Sequence, residues 1–297
     1  MNYYAPMKRR TFLHTSAAAS LAIPAPGLLA LEADNAYRRN IGIQLYTLRN
    51  QIKADTAGTI KAVAEAGYRQ VEPYGFPDAD AMIAAAKDHG MAVHSSHFAW
   101  QSVTNPGKKG TPAFADILEK AKKLGLKDLV IPYIHGHNRK TLDDYKRLAE
   151  NCNQAAVEAR TAGIQLAYHN HAFEFQDLGG GKTGYGVFME EFTPEMHFEV
   201  DVFWVKVGGA EPVDLLRSLK GRVSQLHLKD LKAGLKLPEF GQVPQDAFQE
   251  LGDGIIPMEP IIVAAAACGV KHCHVEQDHS PDPIASIRQS MKHLKGL

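Results

Sequence analysis

Residues that bind metals or transfer protons recur at the ends of four apolar segments in the second half of the chain. They are His169 and His171, then Glu199 and Asp201, then His227 and Lys229, and finally Glu276. If each segment is a β-strand, side chains two residues apart point to the same face, so His169 and His171 lie together. Two imidazoles and two carboxylates that converge from neighbouring strands can bind a divalent transition metal. The spacing therefore predicts a metal site.

Short apolar, β-branched segments alternate with amphipathic helical stretches from Ile41 onward. The strand candidates are residues 41–46, 70–74, 92–97, 128–133, 165–171, 197–203, 224–229 and 273–277. Eight strands, each followed by a helix or helical loop, predict a single (β/α)8 TIM-type barrel of parallel strands, with the site at its C-terminal face. An open doubly wound sheet is the alternative, less favoured because no Gly-rich phosphate loop follows the first strand.

The composition excludes some classes of function. The 297-residue chain carries 33 Lys and Arg against 33 Asp and Glu, so its formal net charge is zero. A neutral chain lacks the broad positive field of a nucleic-acid-binding protein. The three cysteines have neither the number nor the spacing of a disulfide framework or a zinc clip. We therefore expect no nucleic-acid partner.

The N-terminal residues form a separate segment. The run Lys8-Arg9-Arg10-Thr11-Phe12-Leu13, followed by the Ala-rich stretch 15–30, resembles a twin-arginine export signal. A disordered basic tail is the alternative interpretation. The apolar stretch is short and interrupted by two prolines, so we expect no stable membrane anchor. The prediction is a signal over residues 1–33, a barrel domain over 34–297, and a periplasmic or secreted protein.

Several sequence motifs carry a resemblance to a known family. They are DVFW at 201–204 followed by GGAEP at 208–212, QLHLKD at 225–230, LGDG at 251–254 and the final pair at 275–276. With these residues the chain resembles the xylose-isomerase-like superfamily of sugar isomerases and epimerases, from about Ile41 to the C-terminus. The resemblance implies a small-molecule sugar substrate without identifying it. Barrels of this superfamily often pair, so a homodimer is a further expectation.

The resemblance also implies a set of metal ligands. The family usually holds its metal with Glu, Asp, His and Glu from the last four strands, and Asp201, His227 and Glu276 match three of these positions. The remaining position falls on His169, where many epimerases have glutamate. The fifth strand instead resembles the branch that reads Tyr-His-Asn-His, which includes inosose-dehydratase-like proteins and exported sugar enzymes. One divalent ion is expected, with manganese, cobalt, zinc and magnesium all open.

These ligands suit chemistry through an enediolate. A metal on a sugar carbonyl acts as a Lewis acid while a base removes the neighbouring proton. Glu276 is the first candidate base and His171 the second, with Lys229 holding or protonating the substrate oxygen and Glu174 as a second acid. Four further residues are expected to contact the substrate: Glu72, His97, Trp204 and Tyr46.

Three functions follow from these expectations. The first is a metal-dependent isomerase or epimerase of a non-phosphorylated sugar or keto-sugar, because an exported enzyme would rarely meet sugar phosphates. The second is a lyase or dehydratase that eliminates a β-leaving group from a keto-sugar or 3-keto-glycoside, which the loss of one glutamate ligand favours. The third, of another class, is a non-catalytic sugar-binding protein. An endonuclease of abasic DNA is disfavoured by the neutral charge.

Overall fold

Eight parallel β-strands surround a central axis in the computed structural model, which describes Tyr37 and residues 40–297. They are β1 Gly42–Gln44, β2 Gln70–Glu72, β3 Ser95–His97, β4 Asp128–Ile131, β5 Gln165–His169, β6 Met196–Asp201, β7 Val223–Leu228 and β8 His272–Val275. The predicted signal over residues 1–33 lies outside the described residues. The proposed domain boundary at residue 34 lies there too and stays a prediction.

The strands pair in the order β2-β1-β8-β7-β6-β5-β4-β3, and each neighbouring pair is parallel. The seam between β2 and β3 is joined by backbone hydrogen bonds, among them Val71 N to Ala92 O and His97 N to Pro73 O, both 2.9 Å. The result is a nearly closed α/β barrel. The prediction of a single (β/α)8 TIM-type fold is confirmed, and an open doubly wound sheet is excluded.

Helices connect the strands. The α-helices are Arg49–Ala54, Thr56–Ala66, Asp80–Asp88, Gln101–Thr104, Phe114–Leu124, Leu142–Thr161, Gly184–Glu191, Val202–Val207, Pro212–Ser218, Met258–Ala267 and Pro283–Gly296. Short 3-10 helices span Leu45–Leu48, Gly136–Asn138, Phe173–Phe175 and Gln245–Ala247. A two-stranded antiparallel ribbon, Asp230–Leu231 with Phe248–Gln249, lies between β7 and β8. No helix among the described residues is long and apolar enough to cross a membrane.

Seven of the eight strands end one or two residues earlier than the sequence predicts, and the differences at β5 and β6 concern the site. Strand β6 stops at Asp201 because its carboxylate accepts a hydrogen bond from Trp204 N at 3.0 Å, which makes Asp201 the N-cap of the next helix. Strand β5 stops at His169, so His171 lies beyond the strand rather than in it. The predicted strands 197–203 and 165–171 are therefore too long, and both corrections place chemically active residues at a chain reversal.

The interior of the barrel is unusually polar, and a glycine makes room for it. A Cβ at Gly42 in β1 would lie 2.4 Å from Cδ2 of His274 and 2.7 Å from Cγ of Gln70. Both of these side chains point between the strands that flank β1. A glycine at this position therefore lets β1 pair on both sides while large polar side chains fill the interior.

Candidate active site

A cavity of about 770 Å³ opens at the C-terminal end of the barrel. Residues that follow the first four strands contribute aromatic rings to it: Tyr46, Tyr74, Phe98, Trp100 and Tyr133. Residues that follow the last four strands contribute mostly ionisable groups: His169, His171, Trp204, Lys229, Glu276, Asp278 and His279. The cavity lies at the face where catalytic sites occur in barrels of this type.

Three of the four predicted metal ligands converge next to this cavity, where Glu276 lines it and Asp201 and His227 lie buried behind its wall. His227 Nδ1 lies 2.8 Å from Glu276 Oε2 and 4.0 Å from Asp201 Oδ2. One ligand atom from each of these three residues lies within 4.8 Å of the other two. All three side chains are buried, and they come from the ends of β6, β7 and β8. The tertiary structure thus brings together residues far apart in sequence.

His169, the fourth predicted ligand, lies at the edge of this group. Its Nε2 is 3.8 Å from Asp201 Oδ2, and its Nδ1 is 2.9 Å from Glu199 Oε2. Burial lowers the pKa of His169 to about 3, even though the hydrogen bond to Glu199 favours the charged form. The imidazole is therefore neutral at physiological pH, which is the form that can coordinate a metal.

The residues around Asp201 fit a divalent cation. Asp201 Oδ2 is buried and has no hydrogen-bond partner of good geometry among the described residues, and the Lys229 ammonium lies 3.1 Å from it. Burial raises the pKa of Asp201 to about 6, although Lys229 and His227 favour its ionised form. A buried carboxylate oxygen without a donor is costly unless a cation or another partner satisfies it. Two carboxylates and an imidazole are a donor set that suits zinc or manganese.

Lys229 lies among three carboxylates at the same place. Its Nζ is 2.8 Å from Glu276 Oε2, and 3.1 Å from both Asp201 Oδ2 and Asp278 Oδ2. Burial alone would lower the pKa of Lys229, but Asp201, Asp278 and Glu276 raise it well above its usual value. In turn, burial would raise the pKa of Glu276, whereas Lys229 and His227 hold it well below its usual value. Glu276 and Lys229 are therefore both charged.

His171 lines the cavity without a fixed partner. Its ring lies 5.2 Å from that of Trp204, and its Nδ1 has no hydrogen-bond partner among the described residues. Burial, together with His169 and Lys229, lowers the pKa of His171 well below its usual value. A neutral imidazole at the cavity can accept a proton from a bound molecule.

The Tyr-His-Asn-His segment acts as a scaffold around these residues. Tyr168 Oη donates to Glu174, and His169 bonds to Glu199. Asn170 holds the backbone of Asp201 on both sides, because its Oδ1 accepts from Asp201 N at 3.0 Å and its Nδ2 donates to Asp201 O at 3.3 Å. Tyr168, His169 and Asn170 thus each hold a different neighbour, whereas the side chain of His171 faces the cavity.

Two predicted catalytic or substrate-binding residues are buried away from the cavity. Glu174 is fully buried, where it accepts hydrogen bonds from Tyr168 Oη and, at 2.8 Å, from His171 N. Glu72 is also fully buried, beneath His227, whose Nε2 lies 2.7 Å from its Oε2. Neither lines the cavity. The roles predicted for Glu174 as a second acid and for Glu72 as a contact of a substrate hydroxyl stay predictions. In this arrangement both carboxylates are hydrogen-bonded to buried partners.

The other predicted substrate contacts do line the cavity. His97 reaches it from β3, although its Nε2 is engaged 2.9 Å from Glu199 Oε2. Trp204 presents an indole Nε1 that has no partner among the described residues. Tyr46 is 42% exposed and lies at the rim.

The QLHLKD and LGDG motifs are held together by the carboxylate of Asp230. Asp230 ends the QLHLKD segment, and its oxygens accept backbone hydrogen bonds from Gly252, Gly254 and Ile256 at 2.9–3.1 Å. Asp230 therefore stabilises the loop that contains the second motif. His227 and Lys229, in the same QLHLKD segment, belong to the group of ionisable residues at the site. The sequence interpretation missed Asp278 as a partner of Lys229, although its position two residues after Glu276 was the available signal.

Comparison with known proteins agrees with this geometry. A family model described as "Xylose isomerase-like TIM barrel" matches residues 60–297. An inosose dehydratase from Clostridium perfringens is 24% identical over 234 residues, covering 68% of this chain and 75% of that protein.

Solved structures have the same fold. The structure of a sugar phosphate isomerase/epimerase from Parabacteroides distasonis is similar with a TM-score of 0.70 and 23% identity, covering 86% of this chain and 93% of that one. The structure of the IOLI protein with a bound zinc atom is similar with a TM-score of 0.66 and 13% identity, covering 86% and 98%.

Proposed function

The chain belongs to the xylose isomerase-like TIM barrel family, and we propose that it is a metal-dependent sugar isomerase or epimerase that acts through an enediolate. The observation that carries the proposal is the convergence of Asp201, His227 and Glu276 with Lys229, of which Glu276 and Lys229 line the cavity. The substrate class proposed is a non-phosphorylated sugar or keto-sugar.

His169, Asp201, His227 and Glu276 are the residues that would hold the metal. A bound divalent cation supplies Lewis-acid stabilisation of the negative charge that develops on the substrate oxygens. The chain supplies the proton transfer. Glu276 accepts the proton from the carbon next to the carbonyl, and Lys229 donates a hydrogen bond to a substrate oxygen.

The pairing of Glu276 with Lys229 prepares the base. In the structure described here, Lys229 and His227 hold the pKa of Glu276 below its usual value, against the opposing effect of burial. A substrate oxygen that takes a hydrogen bond from Lys229 weakens the contact between Lys229 and Glu276. The pKa of Glu276 then rises towards the working pH, where a base is most effective.

His171 supplies a second proton-transfer group just after β5, which lies three strands away from β8, the strand that Glu276 follows. Return of the proton by Glu276 to the neighbouring carbon completes an isomerisation. For an epimerisation, the neutral His171 imidazole gives its N–H proton to the opposite face of the carbon that lost its proton. It takes a proton from solvent at its other nitrogen, and Glu276 releases its proton to solvent. Both outcomes share the first step.

The charges at the cavity support a substrate without phosphate. Among the described residues that line it, the permanent cations are Arg49 and Lys229. Lys229 is surrounded by three carboxylates, and Arg49 donates to the carbonyl oxygens of Tyr46 and Asp278 at 3.0 and 2.9 Å. A phosphate dianion would have to compete with these partners.

A lyase is the second candidate, and the relationship to inosose dehydratase supports it. From the same enediolate, departure of a hydroxyl or glycosyl oxygen from the next carbon gives elimination. His169 replaces the glutamate of many epimerases, which leaves Glu276 as the carboxylate base at the metal group. A non-catalytic sugar-binding protein is the candidate of another class.

Solvent exchange tests the shared step. The protein is incubated in deuterated water with a panel of free sugars, keto-sugars and keto-glycosides, and mass spectrometry follows deuterium at the carbon next to the carbonyl. We expect exchange for at least one substrate, and the product then separates isomerisation from elimination. No exchange with any member of the panel would support a binding protein instead.

Metal analysis tests the site separately. The wild-type chain should retain one divalent ion after purification or loading, and Asp201→Ala and Glu276→Ala should lose it. A wild type that holds no stoichiometric metal under any loading condition would overturn the proposal.

We also propose export by the twin-arginine route. Cell fractionation of the full chain, compared with a variant that carries lysines in place of Arg9 and Arg10, tests it. The wild type is expected outside the cytoplasm, and equal distributions of the two forms would contradict the proposal. A homodimer remains a prediction that sedimentation can check.

A further inference from the structure

Two glutamates lie directly beneath the predicted metal ligands and take no part in the cavity. Glu72, the last residue of β2, and Glu199, in β6, are both fully buried inside the barrel. A buried carboxylate is costly unless it accepts several good hydrogen bonds. The partners of these two glutamates therefore indicate why they are there.

Glu199 accepts from the side of His169 that faces away from the metal group. Its Oε2 lies 2.9 Å from His169 Nδ1 and 2.9 Å from His97 Nε2. A carboxylate can only accept, so Nδ1 of His169 must carry the proton of this hydrogen bond. Nε2 is then the nitrogen with a free lone pair, and it lies 3.8 Å from Asp201 Oδ2.

Glu72 has the same relationship to His227. Its Oε2 lies 2.7 Å from His227 Nε2, on the side of the ring opposite to Asp201 and Glu276. His227 Nδ1, by contrast, faces Glu276 Oε2 at 2.8 Å and Asp201 Oδ2 at 4.0 Å. Both nitrogens of His227 thus face carboxylates, and Glu199 and Glu276 raise its pKa well above its usual value against the effect of burial. A cation bound beside Asp201 and Glu276 would replace the proton on Nδ1 and leave the proton on Nε2 bonded to Glu72.

A glutamine joins the two glutamates. Gln225 Nε2 donates to Glu72 Oε1 at 2.7 Å and to Glu199 Oε1. Its Oε1 lies 3.0 Å from His94 Nε2. This contact fixes the orientation of the amide, with Nε2 towards the two glutamates. Both glutamates are therefore held from below while each faces a histidine.

We propose that Glu72 and Glu199 are positioning residues that set the tautomer and ring orientation of His227 and His169 for metal binding. The inference rests on the proposed function, since it concerns the same metal group. Histidines that bind metals commonly donate their other N–H to a carboxylate, which fixes the tautomer and strengthens the ligand. Here one chain supplies such a partner for each of the two predicted histidine ligands.

The affinity for Zn²⁺ alone tests this assignment. It is measured by competition with a chelating dye on the full chain, for wild type, Glu72→Gln and Glu199→Gln. We expect each variant to bind roughly 10-fold to 100-fold more weakly, because loss of such a partner has effects of this size. Glu174→Gln is the matched control, since it makes the same change at a fully buried carboxylate that contacts neither predicted histidine ligand. Its affinity for Zn²⁺ should equal that of wild type.

A second measurement needs no metal, and its main result comes from the wild type. Long-range ¹H–¹⁵N correlation spectra of the metal-free wild type report which nitrogen of His169 carries the proton. We expect Nδ1, and a mixture of tautomers in Glu199→Gln, because an amide can donate as well as accept.

The outcomes separate the two proposals. Zn²⁺ binding by wild type with unchanged affinity in both glutamate variants, or a proton on Nε2 of His169, overturns the positioning role and leaves the proposed function standing. A wild type that binds no divalent metal overturns the proposed function together with this inference. Weaker binding in all three variants, including Glu174→Gln, also overturns the positioning role, because replacement of any buried carboxyl group would then have the same effect.

Discussion

Strands in the first half of the barrel are followed by aromatic residues at the cavity, whereas strands in the second half end in ionisable ones. Tyr46, Tyr74, Phe98 and Tyr133 follow β1 to β4, in that order. His169, Asp201, Lys229 and Glu276 end or follow β5 to β8. The exceptions are His97 and Arg49 in the first half and Trp204 and Phe248 in the second, and His97 is hydrogen-bonded to Glu199 of the second half.

This difference separates binding from chemistry in one cavity. Aromatic rings offer flat apolar surfaces to the C–H faces of a sugar ring, and they need no particular protonation state. Carboxylates, imidazoles and an amine must be mutually positioned and charged for proton transfer. The barrel can therefore change its substrate through one half while the other half keeps its reaction.

The largest loss of activity is expected from a substitution in the second half of the barrel, at Glu276. Glu276→Gln removes the proposed base and one metal ligand while it keeps the volume of the side chain. The rate of deuterium exchange should fall by roughly 100-fold to 10,000-fold, the usual contribution of a positioned base. Asp278→Asn is the matched control, because Asp278 also lines the cavity and lies 3.1 Å from Lys229. An equal loss in both variants would contradict a specific role for Glu276.

The next effect concerns a carboxylate of the second half that lies outside the cavity. Burial raises the pKa of Glu174 to about 8 from an unperturbed value of 4.5, although hydrogen bonds from Tyr168 and His171 oppose the change. A folded state that holds this proton more tightly than the unfolded chain loses stability as the pH rises from about 4.5 to about 8. The loss is on the order of 4 kcal/mol.

Thermal unfolding at a series of pH values between 5 and 8.5 checks this prediction. Glu174→Gln cannot ionise, so its melting temperature should fall less steeply with pH than that of wild type. The comparison concerns the slope, because the amide may be better or worse packed at every pH. Parallel curves for the two proteins would show that Glu174 is ionised over this whole range.

In the first half of the barrel, Tyr133→Leu should change binding more than chemistry. The ring of Tyr133 lies 5.3 Å from that of His171 and lines the cavity. Loss of an aromatic contact of roughly 0.5–1.5 kcal/mol should raise KM by about twofold to tenfold with little change in kcat. Steady-state kinetics with the substrate identified by exchange measure both values. A fall in kcat as large as that of Glu276→Gln would break the division between the halves.

The smallest effect is expected at the rim. Tyr46 is 42% exposed, and its ring is already covered by Arg49, whose Cζ lies 4.4 Å from the ring centroid. Tyr46→Leu should change KM by about twofold or less, as rim contacts usually contribute little. The same kinetic assay, run on Tyr46→Leu and Tyr133→Leu together, shows which substitution changes KM more. A larger effect at Tyr46 would place the substrate nearer the rim than we propose.

Much of the fold could be predicted from the amino-acid sequence. Alternation of short β-branched segments with amphipathic helices predicts the barrel because only parallel strands connected by helices bury both faces of each strand. The same pattern places the ends of neighbouring parallel strands together, so the grouping of Asp201, His227 and Glu276 could be anticipated. The ends of strands were less predictable, since the capping hydrogen bonds of Asp201 and Glu174 stop β6 and β5 early.

What the sequence determined by itself is therefore the identity of the strands and the face to which each side chain points. Only the tertiary structure decided how deep in the barrel each of these side chains lies. Glu199 and Asp201 share a face of β6, yet two residues of strand separate them by about 6.6 Å along the strand axis. One therefore lies beneath the metal group and the other within it. Likewise Glu174 turns to Tyr168 and away from the cavity. A period of two fixes direction, but packing against partners from distant strands fixes which layer a residue occupies.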